Sequence, residues 1–217
     1  MPRRSSGTTE PWDGPDRIRG EGHDGRPLVH VLDRAEWRTW LLQNHATSTG
    51  CWLVGATKAS GLPTIPYEDS IEEALCFGWI DSHVRKYDVG RSTLLHTPRK
   101  PRSVWSRPNK ERVERLIAAG RMEPAGLAAI EAAKANGMWS VLESAEALEV
   151  PADLAAALQS EPGARSAFEG FAPSARRAIL GSIAVAKRPE TRARRIAETA
   201  RLAAQGRQPG APGARPS

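Results

Sequence analysis

Two stretches of this chain concentrate the residue types that do chemistry. One is Cys76-Phe77-Gly78-Trp79-Ile80-Asp81-Ser82; the other runs Thr97-Pro98-Arg99-Lys100-Pro101-Arg102-Ser103-Val104-Trp105-Ser106. On a strand, Trp79 and Asp81 share one face while Ile80 takes the other. An indole beside a carboxylate suits recognition of a cation, a sugar or a flat ring. The plainer alternative packs Trp79 beneath a helix and leaves Asp81 to cap a turn or pair with Arg85 or Arg99. The second stretch sets cations around Ser103 and Trp105, and backbone amides at a helix start near Ser106 would add to an anion-binding surface. A ring among cations is also how single-stranded nucleic acid is held, the bases stacked and the phosphates followed. The competing view is an extended connector docked through Trp105, with its Arg and Lys exposed. With Asn109 just beyond, the candidate surface comprises Trp79, Asp81, Arg85, Arg99, Ser103, Trp105 and Asn109.

Other chemistries find no footing. There is no GxGxxG after a strand, no GxxxxGKS/T, no HExxH, no GxSxG and no CxxC pair. His23, His30, His45, His83 and His96 are scattered. His83 and His96 could face each other across a hairpin with Cys76 nearby, but a cross-strand pair of surface histidines is the commoner outcome, and no metal or cofactor is expected. Cys76 falls near the C-terminal end of a predicted helix, where the dipole raises a thiol pKa, and Cys51 abuts Trp52 in a core strand. Both read as buried structural thiols. No nucleophile–base–acid triad assembles, so binding without turnover leads, and an unrecognised enzyme with Asp81 as acid or base is the alternative.

Charge adds a third reading. The formal net charge is +6 and the sequence pI about 9.8. Between Arg85 and Arg121, eleven Lys/Arg stand against Asp88, Glu111 and Glu114; from Arg176 to Ser217, ten stand against Glu190 and Glu198. Each block carries +8, leaving −10 on the remainder. Basic segments 85–121 and 176–215 on an acidic body make nucleic acid an alternative partner, although arginine on helices often forms only a solvated face. No apolar run reaches the ~18 residues a membrane span requires, so no transmembrane segment is expected. The first residues lack an apolar leader core, and two cysteines fit a reducing, cytoplasmic location.

The elements that must position these residues are legible from pattern. Residues 1–27 and 206–217 are rich in Gly, Pro and Arg without periodicity and are expected to be disordered tails. Asp33-Arg34-Ala35-Glu36 resembles a capping box before a helix with Trp37, Trp40 and Leu41 on one face. Cys51–Val54 reads as a strand. Pro66 opens a second helix with Tyr67, Ile71, Ala74 and Leu75 as its buried stripe and Gly78 as its stop. Trp79–Val84 and Arg91–His96 form a hairpin about Val89-Gly90. Helices are predicted after Ser106, from Pro124, from Pro151, near Ala164, from Pro173 and from Thr191. The fold class is α+β: a small antiparallel sheet of about three strands packed with helices over 28–105, then a helical half over 106–205.

These residues together resemble the YdeI/OmpD-associated, or bacteriocin-protection, family. The resemblance is carried by Trp37, Trp40 and Leu41, by Gly50-Cys51-Trp52-Leu53, by Ile65-Pro66-Tyr67, and by Glu72-Glu73-Ala74-Leu75-Cys76 leading into Phe77-Gly78-Trp79-Ile80-Asp81-Ser82. It continues through Thr97-Pro98-Arg99-Lys100, Ser103-Val104-Trp105-Ser106 with Asn109, Arg121-Met122, Pro124-Ala125-Gly126, Ala186-Lys187 and Glu190-Thr191-Arg192. It implies one domain over 28–205 and a role in tolerance to bacteriocin or envelope stress, with no agreed catalytic set to carry over. Leu180-Gly181-Ser182-Ile183 departs from the family pattern, which more often shows an aromatic before the Ile. The expected ligand is a small anionic or aromatic molecule, because cations and indoles outnumber acids in the two stretches.

Overall fold

The computed structural model describes residues 17–209. The fold is α+β, and the chain divides into two compact units: one joins the chain up to Ser103 with Pro108–Ala133, the other joins Val104–Arg107 with the chain from Lys134.

The first unit holds a four-stranded mixed sheet of β1 (Leu28–Val29), β2 (Cys51–Ala56), β3 (Trp79–Lys86) and β4 (Arg91–Pro98), in the order β1-β2-β4-β3. The sequence pattern gave about three antiparallel strands. The fourth, β1, is two residues long and pairs parallel to β2, too short to leave an alternation signature. Helices α1 (Arg34–Asn44) and α2 (Tyr67–Cys76) belong with one face of the sheet. Asp33 caps α1 by accepting the Glu36 N–H at 2.9 Å, and Glu36 reaches back to accept the N–H of Leu32 at 2.9 Å, one residue before the cap where a strict capping box would use Asp33 itself. Trp37 then lies buried and donates its indole N–H to the Ser70 carbonyl at 3.0 Å, tying α1 to α2. Beside it the fully buried Glu73 carboxylate is held by Arg34, Arg38 and Arg121, which joins α1 and α2 to the segment before α4 (Pro124–Ala135).

Helices α3 (Arg107–Ala118) and α4 mostly cluster with the sheet, so the structural division falls near residue 134 instead of 105. The reason is close backbone approach. Gly78, at φ 72°, turns the chain from α2 into β3, and a side chain there would meet the Ala125 carbonyl oxygen. Segment 17–27, expected in the tail, instead covers the far face of β2. Asp24 accepts the Trp52 indole N–H at 2.8 Å, His23 lies 4.5 Å from that ring, and Arg17 pairs with Glu36 at 2.6 Å. These contacts are tertiary and have no periodic trace. The rest of the two expected tails, 1–16 and 210–217, lies outside the described residues.

The second unit is helical: α5 (Glu143–Glu146), α6 (Ala152–Ser160), α7 (Ala164–Glu169), α8 (Pro173–Ala184) and α9 (Pro189–Ala204). Its core joins Leu154, Leu158, Phe168, Ile183, Ile196 and Ala200. Proline at the first position of α8 and of α9 supplies a fixed φ where no amide donor is needed. No helix among the described residues is long and apolar enough to cross a membrane.

Candidate functional site

The sheet of the first unit places Asp81 opposite His96 and Trp79 opposite Pro98. Both pairs face α1, where Trp37 meets the His96 ring edge-on at 5.3 Å and Trp40 meets Trp79 at 5.8 Å. Between Asp81 and Val84 the register shifts by one residue: Asp81 pairs with His96, but Val84 pairs with Leu94. Strict alternation would put residues 79, 81, 83 and 85 on one face. The bulge instead brings Val84 onto the Asp81 face and sends Arg85 to the opposite side, where its guanidinium lies 5.8 Å from the Trp52 ring.

On the Asp81 face, between the sheet and the start of α2, lies a cavity of about 470 Å³. Its walls are mainly apolar and include Leu53, Ile65, Tyr67, Val84 and Leu94. Val84 is 67% exposed and Tyr67 57% exposed, so these two form its open rim. The Tyr67 hydroxyl donates to Asp81 Oδ2 at 3.2 Å. Burial and the neighbouring Asp81 carboxylate both push the Tyr67 phenol up, which keeps it a neutral donor. Beside it Arg112 forms a two-point pair with Glu68 at 3.0 and 2.8 Å and donates to Asn109 Oδ1 at 2.9 Å. Those bonds hold the Glu68 carboxyl below its usual range. Burial pulls the Arg99 guanidinium down to about 10, against the opposing pull of Asp81.

The structure thus sorts the seven sequence candidates. Asp81, Arg99 and Asn109 stand around the Tyr67–Arg112 corner. Trp79 is 1% exposed, packed on Trp40, with its indole N–H on the His45 carbonyl at 3.3 Å; it does not line an open surface, as the plainer reading had it. Arg85 is on the other face. The Ser103 hydroxyl closes a turn by accepting the Lys100 amide at 3.1 Å. Trp105 belongs to the second unit, where it is 1% exposed and lies 5.2 Å from Trp139. Among the described residues, none of the seven lines the cavity; Asp81 reaches its rim through Tyr67.

Sequence reasoning missed Tyr67, Val84 and Leu94. Tyr67 fitted the spacing of a buried stripe, but it opens the helix and has no preceding turn to lean on. The histidines do not form a cross-strand pair, since Asp81 takes the place opposite His96. No group of three or more His, Cys, Asp or Glu side chains among the described residues is placed to hold a metal ion. Both thiols are buried: burial, then the Glu73 charge, raises Cys76 to about 11, and burial raises Cys51 well above its ordinary value.

Two family models match the chain. Residues 29–129 match a domain of unknown function (DUF8412). Residues 147–206 match the family described as Bacteriocin-protection, YdeI or OmpD-Associated, so the resemblance read from the sequence is shown over that part of the chain. The motifs around Trp79 and Arg99 fall under the first model, whereas Ala186-Lys187 and Glu190-Thr191-Arg192 fall under the second. No curated protein matches the chain, and no solved structure does.

Proposed function

We propose that this bacteriocin-protection-type protein acts by binding a small aromatic ligand in the cavity above Leu53 and Leu94, with Asp81 and Tyr67 supplying the polar contact at its rim. The observation that carries this reading is the cavity itself. About 470 Å³ lies within the range of small-molecule sites, and apolar walls with one convergent polar pair are the usual composition of such sites. The apolar walls suit a flat ring, and the positive charge of Arg99 near the Asp81 corner favours an anionic substituent on it. Trp79 and Trp105 act as packing groups in this account, and turnover is not required of any residue.

The test uses 1-anilinonaphthalene-8-sulfonate, a flat aromatic anion, titrated against the full chain by fluorescence. Val84→Asp sets a carboxylate at the rim and should weaken binding at least fivefold. Val89→Asp, at a site 96% exposed and outside the cavity lining, should leave it unchanged. Equal affinities for wild type and Val84→Asp would remove the proposal.

A further inference from the structure

We infer that the aromatic group this cavity takes is a side chain of an extended acidic peptide whose backbone pairs with the outer edge of β3; the inference rests on the cavity reading above and names its partner class. Three features of β3 converge on it. First, β3 is the terminal strand of the sheet and, among the described residues, pairs only with β4. Its segment 82–86 is exposed throughout, so a row of main-chain donors and acceptors is presented to an incoming strand.

Second, the edge and the cavity are the same place. The register shift turns Val84 onto the cavity face while leaving it two-thirds exposed. A strand added beside β3 lies ~4.8 Å away and sends every second side chain to the Val84 face. One such side chain stands at the rim formed by Val84 and Tyr67, with the Asp81–Tyr67 bond beside it. A bulge that only blunted the edge would have no need to expose valine there. Bulges that re-aim a side chain beside a site are a known use of the irregularity.

Third, charge chooses the occupant. Arg85 and Lys86 are the charged residues of the exposed segment, and His83 accompanies them. Pairing with a second copy would set the Arg85 and Lys86 of each chain together in one short ladder, and like charges across a strand pair repel. An acidic strand meets them with opposite sign. Arg85 and Val84 lie on opposite faces, so the peptide carries acidic residues on the Arg85 face and apolar ones, an aromatic among them, on the Val84 face.

The experiment uses the full chain and three probes: indole; an eight-residue peptide alternating glutamate with valine and one phenylalanine; and the same peptide with alternate backbone amides N-methylated. Anisotropy follows the labelled peptides, and competition against 1-anilinonaphthalene-8-sulfonate follows indole. The expected result is peptide binding at least tenfold tighter than indole, lost at least tenfold on N-methylation and weakened at least fivefold by the double variant Arg85→Glu, Lys86→Glu. Indole binding with a peptide no tighter than its N-methylated form would overturn the strand pairing and leave the cavity reading standing. Failure of all three probes would overturn both. A dimer in sedimentation that the peptide dissociates would put a second copy on the edge and refute the inference.

Discussion

His96 is enclosed between the Trp37 ring and the strand bearing Asp81, and its Nε2 has no hydrogen-bond partner among the described residues. Burial pulls its imidazole down to about 4, with Asp81 acting in the opposite direction. The unfolded chain protonates this histidine near pH 6.5, while the folded chain leaves it neutral until about pH 4. Between those values the unfolded state binds more protons, so the contribution is fully present above pH 6.5 and is lost as pH falls, by about 3 kcal/mol at most. Urea unfolding across pH 4–7 should show this decline in the wild type and a flatter curve in His96→Leu; parallel curves would refute it. At this scale the sequence disclosed part of the site. Alternation correctly put Trp79 and Asp81 on one face, but nothing marks the extra residue between Asp81 and Val84 that moves Arg85 away and Val84 in. The burial of Trp79 beneath a helix was one of the two readings its position allowed, and Trp40, which meets it from another element, decides between them.

Elements meet through small residues, and two helical glycines show opposite consequences of that. In α4, a Cβ on Gly126 would collide with the Cys76 carbonyl oxygen and the Cys76 carbon behind it, both backbone atoms of the α2 end that cannot swing aside. Gly126→Ala should therefore destabilise by roughly 1–3 kcal/mol, the usual cost of overpacking. In α8, a Cβ on Gly181 would touch only Leu142 Cδ2 at 3.4 Å, an ordinary contact. There the helix propensity of alanine dominates, and Gly181→Ala should stabilise by up to about 1 kcal/mol. Thermal melts of the two variants would check the pair, and shifts of the same sign would contradict the packing described. Most helices and the three longer strands were legible because their periods are local: Trp37, Trp40 and Leu41 repeat at helical spacing, and proline opens α4 and α8, whereas α9 starts at Pro189, two residues before the Thr191 that the pattern gave. What was not legible is long-range. The two residues of β1 acquire strand character only from β2, and α3 and α4 join the sheet unit through contacts that spacing along the chain does not express.

Summed over the whole molecule, the basic blocks look like a nucleic-acid surface, yet part of the charge counted along the sequence is engaged internally. In 85–121, Arg91 pairs with Asp88, Arg112 with Glu68, Arg115 with Glu72 and Arg121 with Glu73, while Arg85 lies over Trp52. In the later block, Arg192 holds Asp153, Arg195 donates to the Ser182 carbonyl, Arg177 to the Glu146 carbonyl, and Arg176 stands over Phe168. Several of these partners lie some forty residues away, as with Arg112 and Glu68, so no short window of sequence contains both members of those pairs. Each phosphate neutralised on duplex DNA contributes about −0.9 to the slope of log affinity against log salt. A fully deployed block of eight net charges would give about −7; contact with only two or three phosphates gives about −2 to −3. Mobility-shift titrations of a duplex at several salt concentrations should therefore return weak binding with the shallow slope. The steep slope would mean that the internal ion pairs yield to phosphate, and it would replace the cavity with the basic segments as the working surface.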